Sequence, residues 1–294
     1  MYKKFYGLTK HPFEISPDPN FFCGTPRHNE ALASLYYGVQ RRKGFVVITG
    51  EVGTGKTLLA RCLFALLKRD QISFAYVFNP LLSASEFLQY SVADLGLPIT
   101  GKGKVELLFE LNRFLIARYR QSSTAVLIVD EAHLLNWDLL EEIRLLTNLE
   151  TGQHKLLQII LIGQPELERK LDSPSLRQLK QRIALRCRLD ALSESETRSY
   201  ILRRLSLAGA RNRAESIFPP ATLEVVHAYS QGIPRLINTV CENALIAGFA
   251  SKNATIWPEL VQEVANDFCL SPVVRACTAN GAVPANQTVT NGGL

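Results

Sequence analysis

The sequence predicts an α/β protein, a parallel sheet covered by helices on both faces, followed by a small all-helical domain. Three features carry that expectation. Short apolar runs alternate with amphipathic segments from residue 45 to residue 171, the pattern of a buried parallel sheet with helical crossovers. One of these runs leads through a glycine-rich loop straight into a helix. From residue 193 onward the strand-like runs cease and only helical periodicity is left.

In chain order, residues 1–25 are rich in aromatic rings and proline. Pro12, Pro17 and Pro19 forbid a regular helix there, so the segment is expected to pack on the core through its rings. Ala31, Leu32, Leu35 and Val39 form one stripe of a helix over 26–42. "FVVIT" (45–49) reads as a strand before a helix at 56–69, and "SFAYVF" (73–78) as a strand before a helix at 84–95. A helix at 104–119 precedes the strand "TAVLIVD" (124–130) and a helix at 137–149. "LLQIILIG" (156–163) is the next strand, with a short helix at 166–171. Residues 182–189 alternate basic and apolar positions, the period of a further strand.

The helical part opens with Ser193 and Glu196, a capping box that satisfies free amides at a helix start. Gly209 suits a C-cap, and helices follow near 220–229, 234–249 and 257–268. The expected organisation is an N-terminal segment over 1–25, an α/β core over 26–190 and a helical lid domain over 191–270. The polar stretch 271–294 has few core residues and is expected to be disordered.

Composition bounds the function only loosely. The chain has 294 residues, 47% of them hydrophobic and 20% charged, ordinary for a soluble globular protein. Its net charge of +6 fits nucleic acid, acidic lipid or neither. The six cysteines (Cys23, Cys62, Cys187, Cys241, Cys269, Cys277) form no C-x-x-C pair, which argues against a zinc site or a disulfide framework and for a reduced compartment. No signal-peptide core and no run of about 18 apolar residues is present, so no membrane span is expected.

The chemistry is more specific. "GEVGTGKT" (Gly50, Glu51, Val52, Gly53, Thr54, Gly55, Lys56, Thr57), with Leu58 after it, fits G-x-x-x-x-G-K-[ST] between a strand and a helix. Its glycines let backbone amides point at phosphate oxygens, and the helix start adds partial positive charge. Lys56 reaches the terminal phosphates and Thr57 binds Mg²⁺. Asp130 ends a buried strand on the ligand side of the sheet, where an acid holds Mg²⁺ through water. Glu131 is placed to orient the attacking water, Gln164 to position it and sense hydrolysis, and His133 reads as structural.

Four arginines need separate readings. Arg186 and Arg188 fall on the outer face of the 182–189 strand and read as solvated. Arg182 stands at the mouth of that strand, where an arginine can enter an adjacent subunit's site. Arg235 sits in the first turn after Pro234, where a cation opposes the helix dipole, so it is aimed at an anion.

"GEVGTGKT", "LIVDEAH", "IGQPEL", "QLKQRI" and "GIPRLIN" stand in the order of the AAA+ ATPases. With "FYGLTKHPFEISPDPNFF" and "RHNEALASLYYGVQRRKGF" the chain resembles, over about residues 1–270, the general secretion pathway protein A family. That resemblance implies a P-loop NTPase of the AAA+ type that hydrolyses ATP with Mg²⁺ and forms a dimer or ring. It implies that Lys56 and Thr57 bind phosphate and Mg²⁺, that Asp130 and Glu131 are the Walker B pair, and that Gln164 and Arg235 are sensors 1 and 2. Arg182 takes the arginine-finger place, Arg177 is the second candidate, and the N-terminal stretch with His28 lies near adenine.

Longer family members continue into a transmembrane helix and a periplasmic peptidoglycan-binding region, whereas this sequence ends in a short polar tail. The expectation is therefore a stand-alone cytoplasmic form, or one peripheral at the inner membrane through a partner, serving a secretion, pilus or exopolysaccharide-export system. The alternative is a DNA-binding helper ATPase of the transposition type. Against it, residues 191–270 carry 8 acids against 7 Lys and Arg, and no helix-turn-helix or zinc finger is visible. A scaffold that binds nucleotide without hydrolysing it is opposed by Glu131.

Overall fold

A computed structural model of the protein describes residues 1–272; the tail expected from 271 onward, and Cys277, lie outside the described residues save for the first two positions. The elements run α1 (Tyr2–Tyr6), α2 (Pro26–Gln40), β1 (Phe45–Gly50), α3 (Lys56–Arg69), β2 (Ser73–Val77), α4 (Ala84–Asp94), α5 (Lys104–Arg120) and β3 (Ala125–Val129). They continue with α6 (Trp137–Leu146), β4 (Leu157–Gly163), α7 (Glu166–Leu171), α8 (Arg177–Lys180) and β5 (Leu185–Leu189). The last five are α9 (Glu194–Leu205), α10 (Ala214–Ile217), α11 (Pro220–Ser230), α12 (Pro234–Ala250) and α13 (Pro258–Asp267).

The five strands form one parallel sheet in the order β2-β3-β4-β1-β5. Alternate residues of each inner strand feed opposite faces, because side chains alternate along a strand. Val46, Ile48, Val126, Ile128, Ile160 and Ile162 meet α2 and α3 through Leu35, Val39, Leu59 and Leu63. Phe45, Val47, Leu127, Val129, Ile159 and Leu161 meet α4, α5 and α6 through Phe87, Leu111 and Ile143. β1, β3 and β4 are buried at every position, which explains why they read as unbroken apolar runs.

Local signals set the helix starts. Thr25 accepts from the His28 amide ahead of Pro26, and Ser83 with Glu86 and Ser193 with Glu196 both close capping boxes. The 137–149 helix stops earlier than its pattern suggests, at Leu146, where Thr147 donates its hydroxyl to Arg144 O. The basic alternation also starts later as a strand than the sequence predicts. Arg182 is not in it but in the turn after α8, and pairing with β1 begins only at Leu185.

The N-terminal segment departs most from expectation. It contains a short helix, α1, ahead of its prolines, closed by Gly7 in a left-handed conformation. Most of its rings do not pack on the α/β core, although Phe22 joins the cluster under α2 and α3. Tyr2, Tyr6, Leu8, Phe13 and Phe21 enter a separate apolar cluster built from α9 to α13, with Tyr200, Ile201, Phe218, Ile237 and Leu245. Buried rings of this size dominate such a cluster energetically. The first 21 residues therefore form a strap on the C-terminal helices. Among the described residues no helix is long and apolar enough to cross a membrane.

Candidate functional site

The site lies at the carboxyl ends of β1, β3 and β4, where parallel sheets present ligand-binding loops. β1 ends at Gly50, and α3 begins at Lys56 after the loop. Gly53 and Gly55 have φ of 83° and 98°, a region that glycine adopts without the Cβ clash other residues suffer. At Gly53 there is a second reason for glycine. A Cβ there would lie 2.8 Å from Arg235 Cβ and 2.9 Å from Ile233 Cγ2, because the start of α12 is pressed onto the loop. The Arg235 amide donates to Gly53 O at 3.2 Å. Thr54 is fully buried and ties its hydroxyl to Glu51 O at 2.8 Å, closing the loop.

Lys56 is buried, and its ammonium donates to Gly50 O at 2.8 Å and Glu51 O at 2.9 Å. Burial holds its pKa below that of a free lysine, while Glu131, Asp130, Glu51 and Glu166 pull the other way. Thr57, the second residue of α3, donates to Asp130 Oδ2 at 3.4 Å. Asp130 is buried; it accepts from Tyr76 OH at 2.8 Å and, through Oδ1, from the Glu131 amide at 2.9 Å. Burial, and then the Asp130 charge, push the Tyr76 phenol upward, so it stays a donor.

Glu131 has a left-handed backbone, with φ 49° and ψ 34°. A non-glycine residue held there costs about 1–3 kcal/mol, and such strain clusters at functional sites. Gln164 follows β4 and places its amide nitrogen 3.1 Å from His133 Nε2. Val52, Gly53, Gly55, Lys56, Thr57, Leu58, Glu131, Gln164 and Arg235 all border one cavity of about 330 Å³. Gly50, Glu51, Thr54 and Asp130 stand behind that lining. Arg235 is exposed in the cavity wall.

The far wall joins strap to lid. Glu14, Ile15, Ser16, Pro17 and Asp18 line it, opposite Tyr200, Arg204 and Asn238. Arg204 is only 4% exposed. It donates to Pro12 O at 2.5 Å, Glu14 O at 3.3 Å and Tyr200 OH at 2.8 Å, and stacks 5.0 Å from the Phe21 ring centre. Tyr200 OH donates onward to Asn238 Oδ1 at 3.0 Å. The sequence reading missed Tyr76, Tyr200, Arg204 and Asn238. The i, i+4 spacing of Tyr200 and Arg204 was the one available signal, and the others depend on chain pairings that spacing does not reveal.

Three predicted residues stand elsewhere. His28 is not in the cavity lining; its Nε2 lies 2.9 Å from Thr54 O, and it braces the loop from behind. Arg182 is also remote from the cavity. Its Nη1 donates to Arg144 O at 2.9 Å, to Asn148 Oδ1 at 2.7 Å and to Thr147 Oγ1, all at the end of α6. Arg177 is exposed on α8.

The donor set suits Mg²⁺. One carboxylate and one hydroxyl, with room for substrate phosphates, match how that ion is held, since it retains water and takes few protein ligands. Tyr76 has no contact with the cavity and acts through Asp130. Tyr76→Phe is expected to lower Mg²⁺ affinity by about 10-fold or more, the usual cost of losing an outer partner of a metal ligand. A Mg²⁺ titration of nucleotide binding checks this; an unchanged midpoint removes Tyr76 from the site.

Residues 39–171 match the AAA domain family. The chain is 47% identical over 251 residues to general secretion pathway protein A of Aeromonas hydrophila, an alignment covering 85% of this chain and 45% of that protein. It thus spans about half the length of the curated relative it matches. Solved structures share the fold. The Aeropyrum pernix ORC2 protein, solved as ADPNP–ADP complexes, superposes with a TM-score of 0.64 at 20% identity, covering 90% of this chain and 73% of that one. The Thermotoga maritima RuvB Holliday junction branch migration motor superposes with a TM-score of 0.53 at 17% identity, covering 83% and 69%.

Proposed function

Because the chain belongs to the AAA-domain family, on the branch of general secretion pathway protein A, we propose that it is an ATP-hydrolysing switch serving the assembly of a secretion, pilus or exopolysaccharide-export system. The observation that supports this most is convergence. Lys56, Thr57, Glu131, Gln164 and Arg235 come from four separate segments and border one cavity, with Asp130 directly behind Thr57.

The loop amides and Lys56 bind the phosphates, and Thr57 and Asp130 hold Mg²⁺, which neutralises charge on the phosphate oxygens. Glu131 orients and polarises the attacking water, and Gln164 positions it. Arg235 sits on the helix that docks on Gly53, so a phosphate that engages it also sets the lid's position. A neighbouring subunit of a dimer or ring supplies an arginine in trans. Arg182 holds that role in our reading and Arg177 is the alternate. Arg182 must give up its bonds to α6 to serve, whereas Arg177 is exposed. The partner is a membrane-associated component of the export machinery, which places the protein in the cytoplasm or at the inner membrane's surface.

The basic 177–188 stretch gives DNA no special support. Lys180 pairs with Asp172 at 2.9 Å and Arg188 with Asp190 at 3.2 Å, which accounts for much of its charge locally.

Glu131→Gln is the deciding experiment. It should keep ATP bound and lower turnover at least about 100-fold, the scale of a lost general base. Turnover within a few-fold of wild type would sink the hydrolytic reading.

A further inference from the structure

One polar side chain beside the cavity residues Glu131 and Gln164 has no role in the chemistry above. His133 lies in the tight turn Ala132–Leu134 after β3, with its side chain 12% exposed. Its Nε2 is 3.1 Å from the Gln164 amide nitrogen. Its Nδ1 is 3.4 Å from Glu131 Oε2. Glu131 Oε2 and His133 Nδ1 are both buried, and neither makes a hydrogen bond among the described residues, so each is the nearest candidate partner for the other. The turn that carries the ring is itself pinned, since Lys170 Nζ donates to His133 O at 2.6 Å and Leu135 O at 2.7 Å.

Hydrogen-bond chemistry gives this chain a direction. An amide nitrogen only donates, so the imidazole Nε2 facing it must be the acceptor. A neutral ring then carries its proton on Nδ1, the nitrogen that lies 3.4 Å from Glu131 Oε2. In a neutral ring the reverse amide orientation would present Gln164 oxygen, require Nε2–H, and set the Nδ1 lone pair against a carboxylate oxygen. One arrangement is attractive at both contacts and the other is repulsive at the second.

We propose that His133 is a positioning residue: an Nδ1–H imidazole that joins Gln164 to Glu131, so that the amide that faces the phosphates also sets the carboxylate that orients water. The proposal rests on the hydrolytic reading for its purpose, but its geometry does not. When the Gln164 amide turns to an oxygen anion in the cavity, Nε2 loses its donor, and the ring's grip on Glu131 loosens. The coupling is reciprocal, as any linkage between two equilibria is.

The first test needs no turnover. Two-bond ¹H–¹⁵N spectra of the nucleotide-free full chain should show His133 as the Nδ1–H tautomer, and Gln164→Ala should shift its Nε2 resonance. An Nε2–H tautomer in the wild type, or no response to Gln164→Ala, overturns the proposal. The second test is kinetic. His133→Ala should lower kcat about 10- to 100-fold with ATP affinity within about twofold, the scale of a displaced catalytic group. The double variant His133→Ala/Gln164→Ala should be no slower than the slower single variant, as for residues acting as one unit. His133→Asn, whose amide nitrogen can stand in for Nδ1–H, should recover part of the loss, which separates this role from a folding defect. Multiplicative losses in the double variant overturn the relay. If the wild type turns over no ATP at all, the hydrolytic reading falls, and the spectra alone judge the relay.

Discussion

Replacing Lys56 with alanine is expected to weaken ATP binding by roughly 30-fold to several-thousand-fold. That range corresponds to the 2–5 kcal/mol that losing one partner of a buried charge contact costs. The nucleotide-free protein should behave in the opposite way. Burial depresses the pKa of Lys56, so below that of a free lysine the unfolded chain binds the proton more readily than the folded one. By the sign of the linkage, this group's contribution to stability rises as pH approaches the ordinary lysine value and is unfavourable below it. The cation is thus a burden on the empty fold, held by two carbonyls and nearby acids, and phosphate is its natural counter-charge. Lys56→Ala should leave the nucleotide-free melting temperature unchanged or raised near neutral pH, and abolish the increase that ATP or a non-hydrolysable analogue gives. A thermal-shift series with and without nucleotide reads both. A variant that melts lower but still responds fully to ATP contradicts this account.

The second large effect concerns Arg204. Arg204→Met keeps most of the apolar stem but leaves Pro12 O, Glu14 O and Tyr200 OH without their donor. Each buried polar group left unpaired costs about 1–3 kcal/mol, so a loss of about 3–5 kcal/mol in unfolding free energy is expected. Because the three acceptors lie on strap and lid, the defect should first appear as release of the strap. Limited proteolysis should cut within residues 12–18 in the variant and not in the wild type, and ATP affinity should fall because those residues line the cavity. Unchanged cleavage and denaturant midpoint would show that the guanidinium does not hold the strap.

Much of this architecture was legible, and the reason is locality. Strands β1 to β4 and α3 were placed to within a residue because each is a short apolar run or a helix bounded by its own signals. The phosphate loop is contiguous, so Lys56 and Thr57 were assigned by spacing alone. What escaped depends on pairs remote in sequence. Tyr76 reaches Asp130 only because β2 and β3 are neighbours, with Tyr76 opposite Ile128. The destination of the N-terminal rings was misjudged for the same reason: composition marks Phe13 and Phe21 as buried without saying against what. α1 was hidden by the prolines after it, although Tyr2 and Tyr6 are spaced as one helix face and Gly7 supplies the stop.

The strap has a consequence for how a newly made chain matures. Residues 2–21 leave the ribosome well before residues 192–261, which supply their apolar partners. Until then Phe13, Phe21 and their neighbours have no native surface to cover, and such exposed rings are what chaperones bind and what drives association of nascent chains. Nor can the outer wall of the nucleotide cavity close earlier, since Glu14 to Asp18 meet Tyr200, Arg204 and Asn238 only when the strap is seated. A ribosome-bound chain that has completed the sheet but not the helical part therefore holds a finished phosphate loop in an unfinished pocket. The late closure of the strap onto α9 to α13 becomes the step that makes the protein competent for its ligand.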